Sequence, residues 1–188
     1  MKAAAKILLV LMLVSATTVV ASDDGVSLVP NVNFPLIDGT GKPTGWHIIL
    51  EGKGLEGSIS FVDGPQGARA LRIECVKYPA QLQNAWIILK QDGVVQAKKG
   101  QNLEVTFWAK KERLKAERIP VWLMNLAPWS TIAKTTVQVT DEWKRVEALL
   151  TPTADSAGTR FEIFFTEEGV LYLADVNVAP TEKQEIDF

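Results

Sequence analysis

The chain has 188 residues, 47% of them hydrophobic and 22% charged, with a formal net charge of −2. That composition excludes a disordered polyelectrolyte, and the lack of any basic stripe excludes the electrostatic footprint of a nucleic-acid binder. One cysteine and one histidine exclude an internal disulfide and the ordinary zinc clusters built from several nitrogen or sulfur ligands.

Residues 1–22 read as a secretory signal peptide. Lys2 and Lys6 give a positive start, Ile7 to Val14 is an apolar run too short to span a bilayer, and Val19-Val20-Ala21 supplies a small-residue cleavage site. The expected product is secreted, periplasmic or at the cell surface, with no membrane segment after cleavage. Without Lys2 and Lys6, 18 of the 20 basic residues remain against 22 acidic ones, a formal charge of −4. Residues 23–180 are expected to form one domain, large enough to bury roughly 70% of its unfolded surface. Residues 181–188 form a polar tail.

Beyond residue 25 the dominant pattern is alternation at period two, the mark of half-buried strands. Strands are expected at Ala70–Val76, Ala85–Lys90, Leu103–Lys110, Thr135–Val139 and Trp143–Leu149. Cys75 ends the alternating set Leu71, Ile73, Cys75 and reads as a small buried hydrophobe. Leu103, Val105, Phe107 and Ala109 share one strand face, and Glu104, Thr106, Trp108 and Lys110 the other. Lys110–Glu117 is charged and reads as a polar hairpin or a single helical turn. Phe161–Phe165 is nearly all apolar and reads as a central strand covered on both faces. Turn signals such as Asp63-Gly64-Pro65, Asp92-Gly93 and Glu168-Gly169 punctuate the series. Ten or eleven short strands at near-regular spacing predict an all-β, two-sheet antiparallel sandwich of jelly-roll type.

Catalytic signatures are sparse. His47 has no nucleophile signature near it, and no glycine-rich loop opens a helix. A glycan hydrolase or lyase would need two facing carboxylates, for which Glu104 and Glu162 on strands are candidates. The aromatic inventory says more. Trp46 and Trp143 open strands and read as core. Trp86, Trp108, Trp122 and Trp129 have polar neighbours, with Trp129 in an expected loop, Ala127-Pro128-Trp129-Ser130. An exposed indole stacks on the apolar face of a pyranose, and Gln81, Gln83, Asn84 and Asn125 would bond its hydroxyls.

Asn31-Val32-Asn33-Phe34, Gly45-Trp46, Trp86, the Gly100–Lys110 strand and the closing Ala174-Asp175-Val176 follow one another in order. Together they resemble the galactose-binding-like β-sandwich of carbohydrate-binding modules of families four, nine and twenty-two. That resemblance implies a non-catalytic protein that binds a polysaccharide or oligosaccharide. It also implies a structural calcium, for which Asp175, Asn31 and Glu51 are the residues at hand. Two positions depart from the pattern, Pro35 and Ala174, each where relatives carry a carboxylate. Trp86 and Trp108 are expected to stack on sugar rings, with Gln83, Asn84, Asn125 and Trp129 beside them. Modules of this kind ride on larger hydrolases, so a separate glycoside hydrolase or an envelope protein is the expected partner. Two other readings stay open: a structural or protein-interaction sandwich of the cell envelope, and a small jelly-roll hydrolase or lyase with paired glutamates.

Overall fold

A computed structural model describes residues 27–30, 32–79, 85–93 and 95–182. In chain order the strands are β1 (His47–Glu51), β2 (Glu56–Asp63), β3 (Arg69–Lys77), β4 (Trp86–Asp92), β5 (Leu103–Glu112), β6 (Arg118–Leu126), β7 (Trp129–Gln138), β8 (Lys144–Leu150), β9 (Thr159–Phe165) and β10 (Gly169–Pro180). They form two five-stranded antiparallel sheets, ordered β1-β4-β9-β6-β7 and β2-β3-β10-β5-β8. The all-β jelly-roll sandwich expected from the sequence is the observed architecture.

The two sheets bury the inward half of each alternating strand against one another. Leu103, Val105, Phe107 and Ala109 of β5 enter this core, as do Ile87 and Leu89 of β4, Ile163 of β9 and Cys75 of β3. Phe34, Phe107 and Phe161 are among the largest fully buried side chains, each contributing roughly 2–3 kcal/mol by burial. Phe34 plugs the core from a loop at φ 51°, its ring edge-on to Trp46 at 5.7 Å. As expected, Trp46 belongs to the core and β9 is a central strand.

Consecutive strands often change sheet, and three details differ from the sequence-based expectation. The charged segment after Lys110 extends β5 to Glu112 and then crosses from one sheet to the other, so β5 and β6 do not form a hairpin. Here Lys111 Nζ donates to the carbonyls of Leu114 and Ala116, fixing the crossing without a helix. Trp129 starts β7 rather than lying in a loop, because the Ala127-Pro128 turn is tight enough to pair Leu126 with Trp129. Trp143 is half-buried outside the core, edge-on to Tyr172 at 6.0 Å on the outward face of the second sheet.

Candidate functional site

The outward face of the β1-β4-β9-β6-β7 sheet carries an unusual set of side chains. Strand alternation places Trp86, Ile88, Lys90 and Asp92 of β4 there, since Ile87 and Leu89 point into the core. On the paired β9, Arg160, Glu162 and Phe164 face the same way. Lys90 is the register partner of Glu162, and Asp92 of Arg160. On the other side of β9, Trp122 is the partner of Glu162 and Met124 of Arg160.

A sheet face turned away from the core is normally wet. Here Ile88, Lys90, Glu162 and Phe164 are each below 10% exposed, although none of them belongs to the core cluster. Bulky aromatic neighbours contribute to the cover. Phe164 lies edge-on to Trp122 at 4.8 Å and to Trp86 at 6.2 Å. Past Glu162 the guanidinium of Arg160 sits 4.5 Å from the centre of the Trp129 ring, a cation–π stack. Phe164 and Arg160 are four residues apart, about 13 Å along the strand. Trp86 and Trp122 thus flank one end of the face and Trp129 the other, and Trp129 is 60% exposed.

Between these aromatics lies a charged quartet. Asp92 accepts from Arg160 Nε at 2.6 Å and from Lys90 Nζ at 2.8 Å, and Arg160 Nη1 reaches Glu162 at 3.5 Å. Burial alone would raise the Asp92 carboxyl, but the bonds from Arg160 and Lys90 outweigh it and hold the group below its usual range. For Glu162 burial wins over the attraction of Arg160 and Lys90, and its carboxyl is raised. Desolvated charges are costly unless paired, so a paired quartet on an outward face is a functional candidate rather than a default surface.

The sequence-predicted site residues fall in several places. Trp86 and Trp129 share this face. Trp108 does not: it lies on β5 in the second sheet, on that sheet's outward side, because Val105, Phe107 and Ala109 take the core. Trp86 and Trp108 therefore cannot stack on one sugar chain. Asn125 has the inward parity of Val121 and Leu123. Its Oδ1 accepts from Ser156 at 2.7 Å and its Nδ2 donates to the Ala127 carbonyl, so its amide braces the end of the sandwich. Gln81, Gln83, Asn84 and Asn31 lie outside the described residues.

Of the residues named for calcium, Glu51 is the register partner of Trp86 at the edge of the first sheet. Asp175 stands on the outward side of the second sheet, ion-paired with Arg145 at 3.2 Å. The sandwich separates them, so these two carboxylates do not fit one ion. Among the described residues no three His, Cys, Asp or Glu side chains gather as a metal site. Likewise Glu104 and Glu162, the candidate hydrolytic pair, stand on different sheets and do not face one cleft.

Sequence reading did not select Lys90, Asp92, Arg160 or Phe164, named Glu162 only as half of a hydrolytic pair, and counted Trp122 among the indoles with polar neighbours without assigning it to the site. A signal was present: Lys90-x-Asp92 and Arg160-x-Glu162-x-Phe164 alternate with apolar core residues, which puts charge and an aromatic ring on one outward face.

No family model and no curated protein sequence matches the chain. Solved structures do. A family 4 carbohydrate-binding module (CBM4) is 20% identical, with TM-score 0.60, covering 81% of this chain and 99% of that one. The enzymatically active domain of bacteriophage CBA120 tailspike protein 4 is 10% identical, with TM-score 0.56, covering 82% of this chain and 21% of that one. The CBM22-1 xylan-binding domain from Paenibacillus barcinonensis Xyn10C is 12% identical, with TM-score 0.51, covering 80% and 92%. Two five-stranded sheets in this order thus give the chain the same jelly-roll sandwich fold as these structures.

Proposed function

We propose that the protein is an exported, non-catalytic carbohydrate-binding protein that holds a polysaccharide on the outward face of its β1-β4-β9-β6-β7 sheet. One observation carries this reading: the paired quartet Lys90, Asp92, Arg160 and Glu162 lies between Trp86 and Trp122 at one end and Trp129 at the other. Indole planes offer stacking surfaces to the C–H faces of sugar rings. The quartet offers donors and acceptors to hydroxyls, and because it is already internally paired it needs little reorganisation when water leaves. Proteins of similar fold include one described as a xylan-binding domain and one solved with β-1,4-galactotriose, which supports the ligand class. Export is read from residues 1–22 alone.

The test is affinity electrophoresis in gels carrying xylan, β-glucans, mannan or pectin, with Trp122→Ala and Trp129→Ala beside the unmodified protein. Retardation by a glycan that both substitutions weaken, with folding intact by circular dichroism, supports the reading. No retardation across the panel rejects it in favour of a structural or protein-interaction sandwich.

A further inference from the structure

The second sheet carries its own aromatic and charged outward face, turned away from the first. Its centre is Trp108. Every other described tryptophan has an aromatic ring or a guanidinium against it: Trp46, Trp86, Trp122, Trp129 and Trp143. Among the described residues the Trp108 indole has no ring or cation stacked on it and no hydrogen bond to its N–H. On β10 its register partner is Ala174, a side chain too small to cover an indole.

On the opposite flank its partner is Arg145 of β8. Arg145 donates to Asp175 at 3.2 Å and to the Thr106 hydroxyl at 3.2 Å. This pair stays open, its side chains 41% and 33% exposed. The backbone makes the arrangement deliberately. Between Ala174 and Asn177 the β10–β5 register shifts, and Asp175 there adopts φ 52°. A bulge re-aims side chains, and this one leaves Asp175 on the outward face in reach of Arg145. The register partner of Thr106, Asn177, has a buried amide oxygen that no donor reaches.

We propose that Trp108, Arg145, Asp175 and Thr106 form a second saccharide site, separate from the first face. The sugar ring stacks on the Trp108 indole, and its hydroxyls bond to the Arg145–Asp175 pair. The chemistry repeats that of the first face, where the Trp129 indole stands beside Arg160 and Asp92. Its ligand class rests on the proposed carbohydrate binding. Because the two faces point in opposite directions, one molecule would bridge two glycan strands rather than grip one strand twice.

The experiment follows the indole N–H signals of the whole 15N-labelled chain during titration with xylohexaose, cellohexaose and a mixed-linkage glucan tetrasaccharide. Trp108→Phe assigns the Trp108 signal. The expected result is a saturable shift of that signal that persists in Trp122→Ala. It should weaken about tenfold or more in Asp175→Asn and in Arg145→Ala, as expected on losing charge-assisted bonds. Asn tolerates the left-handed backbone, so Asp175→Asn reports on the carboxylate rather than on folding. Shifts confined to Trp86, Trp122 and Trp129, with Trp108 unmoved at saturation, overturn the second site and leave the first. A Trp108 shift alone supports the second site and overturns the first. No shift with any probe overturns both.

Discussion

The guanidinium of Arg160 stacks 4.5 Å above the Trp129 ring while its Nε bonds Asp92 at 2.6 Å. One side chain therefore joins the aromatic end of the candidate face to its charged centre. The stack also ties Trp129, at the first position of β7, to a residue of β9 across the intervening β6.

Removing Arg160 leaves Asp92 with Lys90 alone and Glu162 without its guanidinium. Arg160→Ala is expected to destabilise the protein by about 3 kcal/mol, the cost of stranding buried charge. Arg160→Lys should recover only part of this, because an ammonium cannot stack and bond in a fork. Urea denaturation followed by tryptophan fluorescence measures both, and an Arg160→Ala loss below about 1 kcal/mol would mean the quartet is solvated.

Trp129 and Trp122 should separate binding from stability. With Trp129 60% exposed, Trp129→Ala should cost about 1 kcal/mol or less, the cation–π term. Trp122→Ala loses its contact with Phe164 and should cost more, about 1–3 kcal/mol. Both should weaken glycan retardation about tenfold or more. Equal retardation for Trp129→Ala would remove that end of the face from the site.

Glu162 gives a pH signature whose sign is fixed. Its carboxyl is raised by burial, so folding favours the protonated form. The stabilisation is present below the carboxyl's unfolded-state value and is lost as pH rises through the folded value. Glu162→Gln cannot titrate. The Tm of the variant minus that of the unmodified protein should therefore increase with pH across this window and then level off. A difference that is flat with pH, or falls, would contradict the burial described for Glu162. Asp92, held low, acts in the opposite sense: its stabilisation is lost as pH falls through its folded value.

Cys75 should be inert in the native protein. It is 3% exposed, and burial, with the Glu168 charge beside it, pushes the thiol up to about 11. Iodoacetamide at neutral pH should label it fully in denaturant and negligibly without it. Rapid native labelling would show that the β3 end opens.

The strand faces were legible in the sequence because a period of two is a local property. Leu103, Val105, Phe107 and Ala109 could face only one way, and they define the β5 core face. Phe161–Phe165 read as a strand covered on both sides because it lacks a sustained polar alternation. The same reasoning located Trp86 and Trp129 as indoles with polar neighbours. It misplaced Trp143 because a tryptophan opening a strand looks alike on either face. Asn125 looked available because its bond to Ser156 links residues 31 apart in sequence.

The alternation of side chains, the turn positions and the count of strands follow from the sequence alone, since each depends on residues within a few positions of one another. The tertiary structure decided which strands became neighbours. Pairing β4 with β9 and β9 with β6 brought Lys90, Asp92, Arg160, Glu162 and Trp122 together from three distant segments. Pairing β5 with β10 and β8 carried Trp108 to the opposite side of the molecule. Strand order depends on long-range burial between sheets, which no local period encodes, and the position of each indole relative to the others depends on that order.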